Sequence, residues 1–416
     1  MTSSRRQPRD DRRERVAWFL VLSFFALGAL WLASSFDLEA EFANANSTTG
    51  DDTDGAGDAA ANGDAEDSDA NGGPSVDGAA QTRSDRFTVS VSGDILIHER
   101  VAEAATTATG FDFAPLFAPV QNLIASRDFA ICHLEVPISS TNSDLAYTQG
   151  VFRAPTELAA AIKGAGFDSC SVASNHSWDS GEASVISTIA QLNAVQLPHV
   201  GIANTPEEAA KSWQFDVLGN TVGHLSYTYG LNGREPGEVP ANRVARIDEQ
   251  TILADAARQR SLGSEFTIVS LHWGTEFQNE PNEQQADLGP RLLASPDIDL
   301  IVGHHAHVPQ RIEQIDGEYI AYGLGNLLSN QAQAIPECPE LCPLDSQDGV
   351  LLDFVIERNS DGDLAVTGVV ANPTWVDVGN TWKIISTDRP PQGDVNLDSS
   401  VLQASGDRTR ASLGLS

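Results

Sequence analysis

Asp94, Glu135, Asn175, His176, His272, His305 and His307 are oxygen and imidazole donors, and no thiolate stands among them. Such a set suits hard or borderline divalent metals such as Mn, Zn, Fe or Mg. Each closes an apolar run: SVSGD on Asp94, FAICHLE on Glu135, SCSVASNH on Asn175 and His176, TIVSLH on His272, DLIVGHHAH on the last two. Open α/β sheets place ligand sites beyond the carboxyl ends of their strands, where these residues would collect. Singly, each has a blander reading. Gly-Asp after a strand is a common turn, Asn-His a common capping pair, and a lone histidine a satisfied core residue. His305-Ala306-His307 is more specific. Residues two apart in extended chain project to one side, so both imidazoles would reach one metal pair. The ordered series predicts a metal site.

The elements that must position these residues are legible too. TELAAAIKGAGF predicts a helix closed by glycine, and ASVISTIAQLNAV a second helix. Strands alternating with helices predict an α/β domain with largely parallel central strands. VLLDFVIERNSDGDLAVTGVVANP predicts a β-hairpin turning at Ser360-Asp361-Gly362. The reading is one domain over residues 86–390 and a loose tail over 391–416.

Six arginines, Arg5 to Arg15, precede an uncharged run at 16–36 whose length suits a membrane-spanning helix. Trp18 and Trp31 lie near its ends, as interfacial aromatics do. This predicts a basic cytoplasmic tail over 1–15 and a single-pass anchor at 16–36. The rest would then be extracytoplasmic, at the cell membrane. A cleaved signal peptide is the alternative, although the run is longer than a usual signal core. Residues 37–85 carry thirteen acids, one arginine and almost no large apolar side chain, which predicts a disordered acidic linker.

With 25 basic and 58 acidic residues the formal charge is -33, and residues 86–416 alone carry -24. That argues against nucleic-acid partners, which need positive potential facing phosphates. Four cysteines in 416 residues are too few for a disulfide framework. Cys338 and Cys342, in the proline-rich IPECPELCPL, form either a local disulfide or a pair of free thiols. Cys132 and Cys170 read as small buried apolar residues.

SGDILIH, HLEVP, SNHSWDSG, LHWGTEF, GHHAHVPQ and YGLGNLL follow one another across residues 87–375. With them the sequence resembles the CapA family of capsule and poly-γ-glutamate synthesis proteins, in the calcineurin-like metallophosphoesterase superfamily. The resemblance implies a four-layer α/β/β/α sandwich with two divalent metal ions at the strand ends, activating water against phosphorus. Position by position it implies Asp94 and His307 at the first metal and Glu135 as the bridging carboxylate. Asn175, His272 and His305 would serve the second. His176 would be the general acid or an orienting group, held by Asp179.

Leu96 stands where phosphoesterases of the superfamily carry a histidine, so the first site is one ligand short and expected to hold metal weakly. Glu135 is longer than the usual aspartate. His133, two residues before Glu135, is either a substitute ligand or packed beside the site. Arg153 either clamps a substrate carboxylate or phosphate or forms a structural ion pair. Glu276 is either a ligand-orienting group or base, or a surface carboxylate. His199 and His224 read as structural, His98 as a loop residue rather than a ligand, and Trp273 as packing rather than substrate stacking. Two functions remain open. One is an anchored metal-dependent hydrolase acting on an envelope polymer or its precursor. The other is a non-catalytic accessory subunit that works with the membrane subunits of a polymer synthetase and export complex.

Overall fold

The computed structural model describes residues 83–148, 150–235, 237–333, 342–391 and 397–415. The tail at 1–15, the apolar run at 16–36 and the linker up to residue 82 lie outside them. Among the described residues no helix is long and apolar enough to cross a membrane.

In chain order the strands are β1 (Arg86–Ile95), β2 (Thr106–Thr107), β3 (Gly110–Phe111), β4 (Phe129–Leu134), β5 (Ala146–Thr148) and β6 (Val151–Arg153). Next come β7 (Ser169–Ser171), β8 (His199–Val200), β9 (Gln214–Val217), β10 (Asn220–Thr228), β11 (Phe266–His272) and β12 (Leu300–His304). The last are β13 (Ile312–Ile315), β14 (Glu318–Ala321), β15 (Asn326–Leu328), β16 (Asp348–Arg358), β17 (Leu364–Val376) and β18 (Ile384–Ser386). One sheet runs β18-β17-β16-β1-β4-β7-β8, with β15 also paired to β1. Its β1, β4, β7 and β8 are parallel, and β16, β17 and β18 add antiparallel strands. The other runs β13-β14-β12-β11-β10-β9, with β10, β11, β12 and β14 parallel.

Side-chain alternation sorts these strands into layers. Phe87, Val89 and Val91 of β1 and Phe129 and Ile131 of β4 share one core with Phe266 and Ile268 of β11 and Leu300 and Val302 of β12. That core lies between the sheets. The intervening residues face outward. Ala130, Cys132 and Leu134 pack with helices Leu158–Ala165 and Glu182–Ala194. Val269, Leu271 and Ile301 pack with helices Glu249–Ser261 and Glu283–Leu293. The order is therefore helix, sheet, sheet, helix, as expected. Helix Leu158–Ala165 ends at Gly166, whose φ of 108° is the left-handed conformation glycine adopts readily.

Three expectations need correction. The tail expected to be loose holds a helix: Ser399–Leu413 is helical and buries Leu402, Ser405, Thr409 and Leu413. Arg408 and Ser405 grip the buried Asp348 of β16, with Nε to Oδ2 at 2.9 Å and Oγ to Oδ1 at 2.6 Å. The sequence masked this helix, because its buried face is mostly small or polar. Secondly, Cys132 and Cys170 are not free: they are directly opposed on β4 and β7, 4.5 Å apart at Cα, and disulfide-bonded. Cys342 is also disulfide-bonded, whereas Cys338 lies outside the described residues. Thirdly, ordered structure begins before residue 86, since Arg83 Nε donates to Asn220 Oδ1 at 2.9 Å and Ser84 N to Leu218 O at 2.9 Å.

Candidate metal centre

Strand register assembles the centre. In the first sheet Asn326 of β15 pairs with Asp94 of β1, Asp94 with His133 of β4, and His133 with Ser171 of β7. In the second, Thr228 of β10 pairs with His272 of β11, and His272 with His304 of β12. His133, His272 and His304 continue the alternation of the residues between the sheets, so all three imidazoles enter the gap at its carboxyl end. Gly93 permits the approach. A Cβ there would collide with the carbonyl oxygens of Leu324 and Gly325.

His305 and His307 converge by a route the sequence did not suggest. β12 ends at His304, and the two residues take φ values of 88° and 56°. Positive φ in non-glycine residues is costly, about 1–3 kcal/mol each, and it clusters at functional sites. Extended alternation therefore gave the right convergence for the wrong reason: a left-handed turn aims the rings.

The distances suit a shared cation. Asp94 Oδ2 is 3.1 Å from His307 Nδ1, and Glu135 Oε1 is 3.6 Å from His307 Nε2 and 3.9 Å from His272 Nε2. Asn175 Oδ1 is 2.9 Å from His272 Nε2. Tetrahedral ligands about 2.1 Å from a metal stand about 3.4 Å apart. Two clusters of would-be ligand atoms emerge, Asp94–His133–His304 and Glu135–His305–His307, all buried. This grouping differs from the expected split, which put His307 with Asp94 and His305 with Asn175 and His272. The 3.1 Å contact of His307 with Asp94 keeps His307 within reach of both.

Glu135 tests whether these residues fit a metal. Both carboxylate oxygens are buried without a hydrogen-bond partner, and so is His305 Nδ1. A buried carboxylate without a hydrogen bond is expensive, and the contact with His307 at 3.6 Å is longer than a hydrogen bond, so the several imidazoles beside it make a cation the natural counterpart. Burial raises Glu135 well above its ordinary value, against the pull of His307. Asp94 goes the other way: burial alone would raise it, but hydrogen bonds with His304 and His307 hold it well below. Burial lowers His305 to about 3 and drives His272 and His133 well down, so all three imidazoles are neutral, the form that coordinates. His307 is pushed up to about 10, because Glu135 and Asp94 outweigh the opposing burial.

His176 Nδ1 is 2.8 Å from Asp179 Oδ2, which also accepts from the Phe152 amide at 2.8 Å. Arg153 is engaged by neighbouring side chains. It donates through Nη1 to Ser180 Oγ at 2.7 Å and pairs with Asp144 at 3.7 Å, the structural alternative. Glu276 is exposed, yet near enough to raise Glu135 and Tyr229. His98 is half-buried, and desolvation lowers it to about 3, with its Nδ1 3.2 Å from Leu96 O. Trp273 is fully buried against Tyr322.

Residues that the sequence reading passed over also stand here. Tyr229 packs against His305 with ring centroids 4.7 Å apart, tilted by 38°, and is 43% exposed, so it forms part of the rim. Asn232 joins Asn175 to His176, accepting from Asn175 Nδ2 at 3.3 Å. Asn326 Oδ1 is 3.0 Å from His307 Nδ1. The alternating run TVGHLSYTYG was the missed signal, since it marks a strand ending beside Tyr229.

Residues 88–331 match the family model of the bacterial capsule synthesis protein PGA_cap. The chain belongs to this family. The PGA biosynthesis protein CapA of Bacillus subtilis (strain 168) is 26% identical over 293 residues, 68% of this chain and 72% of that protein. The "Probable polyglutamine synthesis accessory protein" of Mycobacterium tuberculosis (strain ATCC 25618 / H37Rv) is 28% identical over 176 residues, 39% of this chain and 45% of that protein. Among solved structures, the calcineurin-like phosphoesterase YfkN of Bacillus subtilis aligns over 78% of this chain and 97% of its own, at 12% identity and a TM-score of 0.39.

Proposed function

We propose that this family member is a membrane-anchored, extracytoplasmic, divalent-metal-dependent hydrolase that processes a capsule polymer of the poly-γ-glutamate type, or its precursor. The observation that carries this reading is Glu135, with two buried, unpartnered carboxylate oxygens facing imidazoles. Glu135, Asp94, Asn175, His272, His305 and His307 would hold metal, which when bound supplies Lewis acidity and a water of lowered pKa. The chain's own residues do the rest. Asp179 accepts a hydrogen bond from His176 Nδ1–H, leaving Nε2 to exchange a proton with the substrate. Tyr229 offers an aromatic wall at the rim, and Glu276 repels excess anionic charge there. Leu96 packs in the outer core of the first sheet and cannot replace the missing ligand, so two unequal metal affinities are expected. Disulfides at Cys132–Cys170 and at Cys342 support an oxidising compartment, as does the apolar run at 16–36.

The engaged position of Arg153 and the relative named as an accessory protein favour the second reading, a subunit of a polymer synthesis and export assembly. Turnover decides between them. The full chain, loaded with Mn or Zn, is offered phosphoesters and glutamyl amides beside Asp94→Ala. Metal-dependent turnover that the variant loses supports the hydrolase. Metal binding without turnover of either class supports the accessory subunit. Proteolysis of intact and opened cells checks the anchor: the domain should be cut from outside while remaining with membranes.

A further inference from the structure

A cavity of about 540 Å³ opens at the edge of the second sheet, where β10 runs on past the end of β9. It shares no residue with the metal centre. Its size is that of a small-molecule site. Trp213 and Tyr227 give it flat apolar walls, and Ala241 lies at its exposed side.

Its polar groups are unbalanced. Three acids in the wall already have partners. Asp255 accepts from Tyr227 Oη at 2.9 Å, Asp248 from the Thr251 amide at 2.9 Å, and Glu208 from the Asn204 amide at 2.6 Å. The donors are not so placed. Arg246 Nη2 is buried without a hydrogen-bond partner. His224 is fully buried, with Nε2 3.0 Å from Ser270 Oγ and Nδ1 unpartnered. Lys211 lies over Trp213, 3.6 Å from the ring centroid. An unpaired buried guanidinium nitrogen is costly, and a bound carboxylate removes the cost through a charge-assisted bond. In a domain carrying -24, a buried guanidinium nitrogen left without a partner on a cavity wall does not arise from overall composition.

We propose that this cavity binds a small organic anion, a carboxylate on a flat apolar body, with the carboxylate on Arg246 and the body against Trp213 and Tyr227. The site is separate from the metal centre and independent of the function proposed for it.

The test is calorimetric titration of the full chain in lipid nanodiscs with 1-naphthaleneacetate and with its uncharged amide. The carboxylate is expected to bind at one site, about tenfold more tightly than the amide, as one charge-assisted hydrogen bond provides. Arg246→Gln should bring the carboxylate down to the amide's affinity and leave the amide unchanged, which also shows that the variant is folded. Ala241→Trp should abolish binding of both, and Asp94→Ala should change neither. Equal affinity for the two compounds, absence of saturable binding, or loss of the carboxylate in Asp94→Ala with retention in Ala241→Trp would overturn the proposal.

Discussion

His133 Nε2 lies 3.0 Å from His272 Nδ1, and the two rings are stacked with centroids 5.0 Å apart. The other nitrogen of His133 is 2.8 Å from Ser171 Oγ, whose hydroxyl donates to Cys132 O at 3.3 Å. One proton order satisfies the whole chain. Ser171 donates to Cys132, His133 Nδ1–H donates to Ser171, and His272 Nδ1–H donates to His133. His272 Nε2 is then left with a free lone pair beside Glu135 and Asn175. Both nitrogens of His133 are thus engaged, although it also lies in a cluster with Asp94 and His304. The engaged geometry supports His133 as the residue that orients His272.

His133→Ala is therefore expected to weaken metal binding by about 10–100-fold without removing an equivalent, the usual effect of deleting a ligand's hydrogen-bond partner. Calorimetric titration with Mn or Zn measures both affinity and stoichiometry. Loss of one full equivalent would make His133 a ligand.

Glu135→Leu is expected to move stability in opposite directions with and without metal. Without metal the variant should gain about 1 kcal/mol, because a buried carboxyl with no hydrogen-bond partner is gone while His307 keeps Asp94 at 3.1 Å. With metal at about 100 times its Kd, the wild type should gain about 2.7 kcal/mol that the variant does not. Thermal unfolding in chelator and in excess Mn tests both signs.

Asp348 should give the domain a pH dependence of unusual sign. Burial pushes its carboxyl up to about 6 from the ordinary 3.8, against Arg408 and Ser405. The folded state therefore holds this proton more tightly than the unfolded chain. Its stabilising contribution is full below about pH 4 and is lost as pH rises through about 6. Compared with wild type, Asp348→Asn should lack this fall in urea unfolding across that window. Arg408→Ala should extend the fall to higher pH, and near neutral pH should cost about 3 kcal/mol by leaving a buried carboxylate alone.

The disulfide should matter to the fold more than to the chemistry. Cys132 and Cys170 close a loop of 38 residues, so replacing both with alanine is expected to cost about 4 kcal/mol through the freed unfolded chain. Denaturant unfolding in oxidising and reducing buffer, beside the double variant, measures it. Equal stability of all three would show that the bond contributes nothing.

Sequence alone was enough to find the strands that carry Asp94, Glu135, Asn175, His272 and His305. Apolar runs of four to eight residues mark parallel strands. The polar residue ending each run therefore had to lie at one edge of a sheet, so Asp94, Glu135, Asn175, His272 and His305 could be named before any coordinates. Short-range signals, such as the glycine closing helix Leu158–Ala165, were equally readable.

Tertiary structure alone decided what depends on partners distant in the chain. The buried environment that leaves Glu135 without a hydrogen bond comes from β1, β4, β11 and the turn after β12, and no local pattern encodes it. Register put Cys132 opposite Cys170 and His133 opposite Ser171. Arg153 met Asp144 and Ser180. The C-terminal helix hid because its buried positions are serine, threonine and glycine as much as leucine, and packing on β16 and β17 supplies what hydrophobic periodicity did not. Residue type and spacing report a side chain's face on its own element. Which side chain waits across the gap is set only when the sheets pack.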